Sequence, residues 1–224
     1  MLPGMATPIA RRPRVRIVAV AQATTSGTAH TFSGVNFGAP FPGRVLIACV
    51  ALRDTAGSAI DQIACTIGGV TAAGDDDGEF LSGGPAIGAG IWAAAVPTGQ
   101  SGDVFVDWTG QTAPEATLIL LSVDGFSATA HDQQSPGGGG SGGTSRTDTV
   151  DIPAGGLLVV AASHTNNNNT TLSGVTERSE QTVGVGQFAV GWDFHLAQET
   201  GRTITSSWTT TAARGLRLAS YPRA

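Results

Sequence analysis

The chain contains no lysine. Its twelve cationic side chains are all arginine, four of them (Arg11, Arg12, Arg14 and Arg16) stand together at the start, and the formal net charge is −5. Nucleic-acid binding draws on counterion release from a basic surface, and none is visible past residue 16, so a nucleic acid is excluded as partner of the body. Cysteine is scarce too. Cys49 and Cys65 lie inside the strand-like runs VLIACVAL and IACTIGG, where a small buried side chain is the expected role and a disulfide between neighbouring strands the alternative. No residues have the spacing of a zinc site. No apolar run approaches the ~20 residues of a membrane helix. The first apolar run is broken by Pro3, Pro8 and Pro13, and its positive charges follow it instead of preceding it, unlike a signal peptide. These absences lead to the expectation of a chain made and kept in a cytosol, with no membrane, cofactor or metal.

What is abundant is glycine, at 32 residues, with 11 prolines, set as punctuation between short runs of Val, Ile, Leu, Ala and Thr. That is the pattern of many short strands, and no helical period survives over a useful window. Val15–Gln22 and His30–Phe37 alternate as strands. Arg44–Arg53 is apolar on both faces of its pleat, with Val45, Ile47, Cys49 and Ala51 on one side and Leu46, Ala48, Val50 and Leu52 on the other. Such a strand is expected to be central and covered twice. Ala59–Ile67 follows, and Gly68-Gly69 marks a tight turn that needs positive φ.

Residues 87–123 recur in degraded form about a hundred residues later. Trp92 and Trp108 are answered by Trp192 and Trp208, PGRVLIACVALR by PAGGLLVVAASH, and IGGVTAA by LSGVTER. The expected fold is therefore all-β, an antiparallel β-sandwich of jelly-roll or Ig-like type built from an internal duplication. Its parts would be an extended N-terminal arm over residues 1–14 and a single sandwich over 15–222. The two repeats, about 29–126 and 147–222, would share one core and be joined by the Gly-rich loop 135–146. Two tandem small β-sandwiches are the alternative. Trp92, Ala94 and Val96 are expected on one buried face, and Trp192, Phe194 and Leu196 on its counterpart, with Asp193 and His195 on a wet side.

Candidate sites are few. Hydrolase signatures of the HExxH and Walker types are absent. A polysaccharide-degrading enzyme would need two carboxylates roughly 5 to 9 Å apart in a cleft. The acids instead cluster at Asp75, Asp76, Asp77 and Glu79 in a Gly-bounded stretch read as a loop, which is a weak calcium candidate. Asn166, Asn167, Asn168 and Asn169 form a polar tip whose amides suit vicinal hydroxyls, and Gln111, Thr112 and the run Thr209, Thr210, Thr211 are placed at corresponding tips, giving a glycan-contact set. His195 beside Asp193 could hold a proton, but exposed strand pairs of this kind are ordinarily solvated. The basic arm, with Arg11, Arg12, Arg14 and Arg16, reads as a partner-binding element.

The phrases PGRVLIACVALR, IACTIGGVTAA, AVPTGQSGDVFVDWTG and VDIPAGGLLVVAASH resemble structural proteins of tailed bacteriophages, in which a strand, a "TIGGV" turn and a "VPTG…GDVxVxW" hairpin recur; the similarity covers about residues 29–222. The resemblance implies a non-enzymatic virion component assembled in the bacterial host cytoplasm, with capsid decoration, head fibre or tail appendage as its role. It also implies other virion proteins, major capsid or tail subunits, as partners, and a homo-oligomeric state. The basic arm favours an exterior decoration protein that lies across an acidic neighbour. An appendage that binds a host surface glycan is the alternative.

Overall fold

The computed structural model describes residues 12–24, 27–54, 60–80, 84–110, 115–136 and 142–224. These form seventeen strands and no helix. In chain order they are β1 (Arg14–Ala23), β2 (Ala29–Asn36), β3 (Val45–Asp54), β4 (Ile60–Ile67), β5 (Val70–Thr71), β6 (Ala73–Phe80), β7 (Ala86–Ala95), β8 (Ser101–Gly110) and β9 (Glu115–Asp124). They continue with β10 (Asp132–Gln134), β11 (Gly143–Ile152), β12 (Leu157–His164), β13 (Thr171–Ser173), β14 (Glu177–Val183), β15 (Gly186–Phe194), β16 (Glu199–Ala212) and β17 (Arg214–Tyr221). The protein is all-β and sandwich-like, as its composition dictates.

The strands make four sheets. Two five-stranded sheets, β1-β9-β3-β7-β6 and β10-β17-β12-β15-β14, lie inside, and two smaller ones, β2-β8-β4-β5 and β11-β16-β13, lie outside. Three apolar layers fix this order. One joins the first outer and inner sheets through Leu46, Ala48, Val50, Leu52, Val104 and Val106. The second joins the two inner sheets, with Val45, Ile47, Cys49 and Ala51 meeting Leu157, Val159 and Ala161. The third joins the second inner and outer sheets through Leu158, Val160, Ile204 and Leu216. Each half is thus a two-sheet sandwich, and the halves are sealed by a core of their own. β3 has both faces covered because its even residues serve one layer and its odd residues the next; all ten are buried.

The sheet orders of the halves match strand for strand: β1, β9, β3, β7, β6 against β10, β17, β12, β15, β14. Their packing is reciprocal, since β17 lies over β6 and β7 while β14 lies over β9. That is the self-complementary pattern of a two-fold interface, here within one chain. Polar pairs close its edges. Arg217 of β17 reaches Asp75 of β6 at 3.5 Å, and Thr182 of β14 accepts at its carbonyl from Gln22 Nε2 and Thr117 Oγ1.

Three expectations change. The tryptophans Trp92 and Trp192 are not counterparts, because the backbone bond from Val96 N to the Arg44 carbonyl, 3.1 Å, is matched by one from His195 N to the Gly156 carbonyl, 2.9 Å. Counting back, Trp92 answers Gly191 and Trp192 answers Ala93. A one-residue step reverses a strand's faces, so Trp92 packs inside the first sandwich and Trp192 between the halves. Correspondingly, Phe194 and Leu196 are exposed and His195 is buried, because β15 ends at Phe194 and its pleat does not continue through Leu196.

The acidic stretch is not a loop. Asp75 and Asp76 lie in β6, paired along its length with β7, and they point to opposite faces: Asp75 to Arg217, and Asp76 to the backbone N of Gln62 at 2.9 Å. Successive strand residues cannot share a cation in this way, and the Asp77 side chain lies outside what is described. Gly74 permits the strand, since a Cβ there would stand 2.2 Å from the Ile91 carbonyl oxygen. Finally, Cys49 and Cys65 are free thiols in different core layers, and burial pushes Cys65 up to about 12. The turn at Gly68-Gly69 does have both φ values positive, 60° and 78°.

Candidate functional site

The end of the first sandwich is built on Arg44, which precedes β3 and is fully buried. It has no carboxylate partner among the described residues. Its Nε donates to the Val96 carbonyl at 2.6 Å, Nη1 to those of Phe37 and Gly38 at 3.2 and 3.1 Å, and Nη2 to those of Thr98 and Gly99 at 2.5 and 2.8 Å. One guanidinium thereby satisfies carbonyls of the β2–β3 loop and the β7–β8 turn, groups that would be costly to bury unpaired. Both loops are fixed in place by it.

Against the fixed β2–β3 loop lies an open groove of about 350 Å³, whose lining includes Arg14, Arg16, Pro40, Phe41 and Asp124. Arg14 and Arg16 belong to β1 and pair in register with Asp124 and Ser122 of β9. They share the groove side of the sheet, because Val15 and Ile17, opposite Val123 and Leu121, face the other way. Neither arginine has an ion-pair partner among the described residues. Of the expected arm, Arg11 and the residues before it lie outside the described residues, Arg12 is exposed, and Arg14 is already the first residue of a strand. A second depression, about 430 Å³, opens beside Phe37, Gly68, Val70, Pro97 and Asp103. Its carboxylate is engaged, since Asp103 Oδ1 accepts from Gly34 N at 2.9 Å.

The asparagine tip and the threonine run, far apart in the sequence, meet in space. Asn166 Nδ2 donates to Thr210 O and Oγ1 at 2.9 and 2.7 Å, and Asn168 Nδ2 to Thr210 Oγ1 at 2.7 Å. Two of the tip's amides are therefore spent on the Thr210 hydroxyl, leaving Asn167, Asn169, Thr209 and Thr211 as the exposed residues of the set outside these bonds. Gln111 and Thr112 lie outside the described residues. Beneath the tip His164 is buried, stacks on Trp208 with ring centroids 4.7 Å apart, and meets Thr170 Oγ1 at 3.2 Å. Burial lowers its pKa to about 4, against a smaller raising effect of hydrogen bonds with Asn166.

His195 and Asp193 do not form a pair. Asp193 accepts from Thr176 N at 2.8 Å and lies 3.4 Å from Arg178, while His195 Nδ1 meets Glu199 Oε1 at 2.6 Å. Glu199 is bound in turn by Arg202 at 3.1 Å, and the hydrogen bond from His195 holds its carboxyl below the usual carboxylate range. A carboxylate-oriented imidazole is half of a base-catalysis arrangement, but no hydroxyl or thiol among the described residues meets the buried Nε2. Nor do three or more His, Cys, Asp or Glu side chains converge on a metal-sized space among those residues.

Arg44 and this His195–Glu199–Arg202 brace are the organising residues the sequence did not reveal. The only local signal for Arg44 is its place between the Pro42-Gly43 turn and a doubly buried strand. No family model, curated protein or solved structure matches the chain.

Proposed function

We propose that this chain is a non-enzymatic structural component of a bacteriophage particle, an exterior decoration protein that docks through residues 1–16. Two things support the reading: the likeness of its strand-and-turn phrases to tailed-phage structural proteins, and the placement of Arg14 and Arg16. The second carries it. An acidic chain keeps two neighbouring arginines, with no ion-pair partner among the described residues, in an open groove at the rim of its first strand, where they complement an acidic neighbour and steer its approach. A particle bound at this element would be held by charge and would release the protein as salt rises.

Deleting residues 1–14 and measuring occupancy on purified particles tests this. Occupancy is expected to fall to background; particles decorated as fully as by the intact chain would refute the docking role. A second reading, an appendage that binds a host surface glycan, is favoured by the meeting of the Asn166–Asn169 loop with Thr210. A glycan array with the intact chain decides it, and an array on which no sugar is retained removes it.

A further inference from the structure

Among the described residues β1 is the edge of the first inner sheet, paired on one side only, with β9. An unpaired edge offers backbone donors and acceptors to another extended segment. Natural edges are usually blunted by short length or charge; this one is ten residues long, and its two faces differ. On the groove face stand Arg14 and Arg16. On the opposite face Ile17 and Val20 are 36% and 44% exposed, beyond the cover of the second inner sheet. A bulge between Ile17 and Ala19 keeps these two on the same side and brings Val18 against Gly38.

Resting on the reading that residues 1–16 are the docking element, we propose that β1 receives an extended segment of a partner protein by strand addition. The segment alternates acidic and apolar residues. A strand laid beside β1 projects every second side chain to each face. Those on the groove face fall next to Arg14 and Arg16, where carboxylates are matched and lysines repelled; those on the other face fall next to Ile17 and Val20, where apolar groups remove exposed surface from water. Neither charge alone nor greasiness alone satisfies both sides. The bulge confines the new ladder to the stretch around Arg14–Ile17, with Val20 adding contact beyond it.

The test uses the intact chain and two capped heptapeptides, one alternating valine with glutamate and one alternating valine with lysine. Hydrogen exchange is followed by mass spectrometry. The glutamate peptide is expected to slow exchange over residues 14–17, and Arg14→Ala/Arg16→Ala to weaken its binding about tenfold or more, with a similar loss at high salt. Equal protection by both peptides, protection at a different edge, or none at all would overturn strand addition. The outcome is separable from the docking role. If the glutamate peptide leaves β1 unprotected while deletion of residues 1–14 still strips the particles, the mode proposed here is wrong and the docking role stands. If the peptide binds β1 yet the deletion leaves occupancy intact, the edge takes acidic strands but not those of the particle.

Discussion

In the first half of the molecule the bond from Val96 N to the Arg44 carbonyl is backed by the Arg44 side chain itself, which holds five further carbonyls. In the second half the matching bond, from His195 N to the Gly156 carbonyl, has a glycine where Arg44 stands. There the support comes from the hairpin: His195 binds Glu199, Glu199 binds Arg202, and Arg202 donates to the Gly174 carbonyl at 3.0 and 2.8 Å. The same end of the same strand order is thus stabilised once from the central strand outward and once from the rim inward. A shared topology does not carry shared side-chain chemistry with it, and the first solution leaves its bound β2–β3 loop beside the open groove that Arg14 and Arg16 line.

The largest expected effect breaks that first solution. Arg44→Met keeps much of the volume but orphans the carbonyls of Val96 and Phe37, whose bonds are buried, and strips the part-buried bonds of Gly38, Thr98 and Gly99, at a cost of about 3–5 kcal/mol. Replacing Arg202, whose side chain is 37% exposed, by Met is expected to cost about 1 kcal/mol or less. Urea unfolding of the two variants measures the gap. Equal losses would mean that the two ends are held alike after all.

The position of Trp92 and Gly191 gives the next test. Trp92 Nε1 donates to Gln62 Oε1 at 2.9 Å, and Gln62 Nε2 to the Val50 carbonyl at 3.3 Å, so the first half fills this place with an indole and a buried amide bridging two sheets. In the second half β13 is only three residues long, and Leu172 and Val175 close directly over Gly191. A Cβ there would stand 2.9 Å from the Thr176 carbonyl oxygen and 3.0 Å from Leu172. Gly191→Ala is expected to cost about 1–3 kcal/mol through overpacking, read as a lowered Tm. A neutral result would show that the second half has slack where the geometry shows none.

Much of this architecture was legible and some was not, for identifiable reasons. β3 could be read from its apolar alternation on both faces, and the turn at Gly68-Gly69 from its residues, because each signal is local. The equivalence of Trp92 and Trp192 misled because residue spacing along the chain is blind to a single-residue shift, while the pleat is not. Asp75 and Asp76 looked like a loop tip because flanking glycines suggest turns, whereas Gly74 is there to let β6 close against the Ile91 carbonyl. Arg44 was invisible as an organiser, since the carbonyls that it binds become neighbours only after β2, β3, β7 and β8 have assembled. At the candidate site the sequence singled out Arg14 and Arg16, but the groove beside them depends on that hidden residue.

The smallest effect concerns the two buried histidines that pack on the second tryptophan of each half: His30 with Trp108 at 5.1 Å, tilted, and His164 with Trp208 at 4.7 Å, stacked. They come from different strands, β2 and the end of β12, so they are convergent fillings of the same place. For His164 the folded pKa is about 4 against an ordinary 6.5. Above pH 6.5 the ring is neutral whether the chain is folded or not. As pH falls from 6.5 to 4 the unfolded chain takes up a proton that the folded chain refuses, so stability is lost across that window and the loss levels off below it. Allowing for solvent screening, the amount is about 1–2 kcal/mol. His164→Phe preserves the stacking on Trp208 and is expected to flatten the difference between denaturation curves at pH 7 and pH 4.5 by that amount. A wild-type curve as steep in pH as that of His164→Phe would mean that the proton enters the folded protein, and that the Asn166–Thr210 tip above His164 opens far more readily than its hydrogen bonds imply.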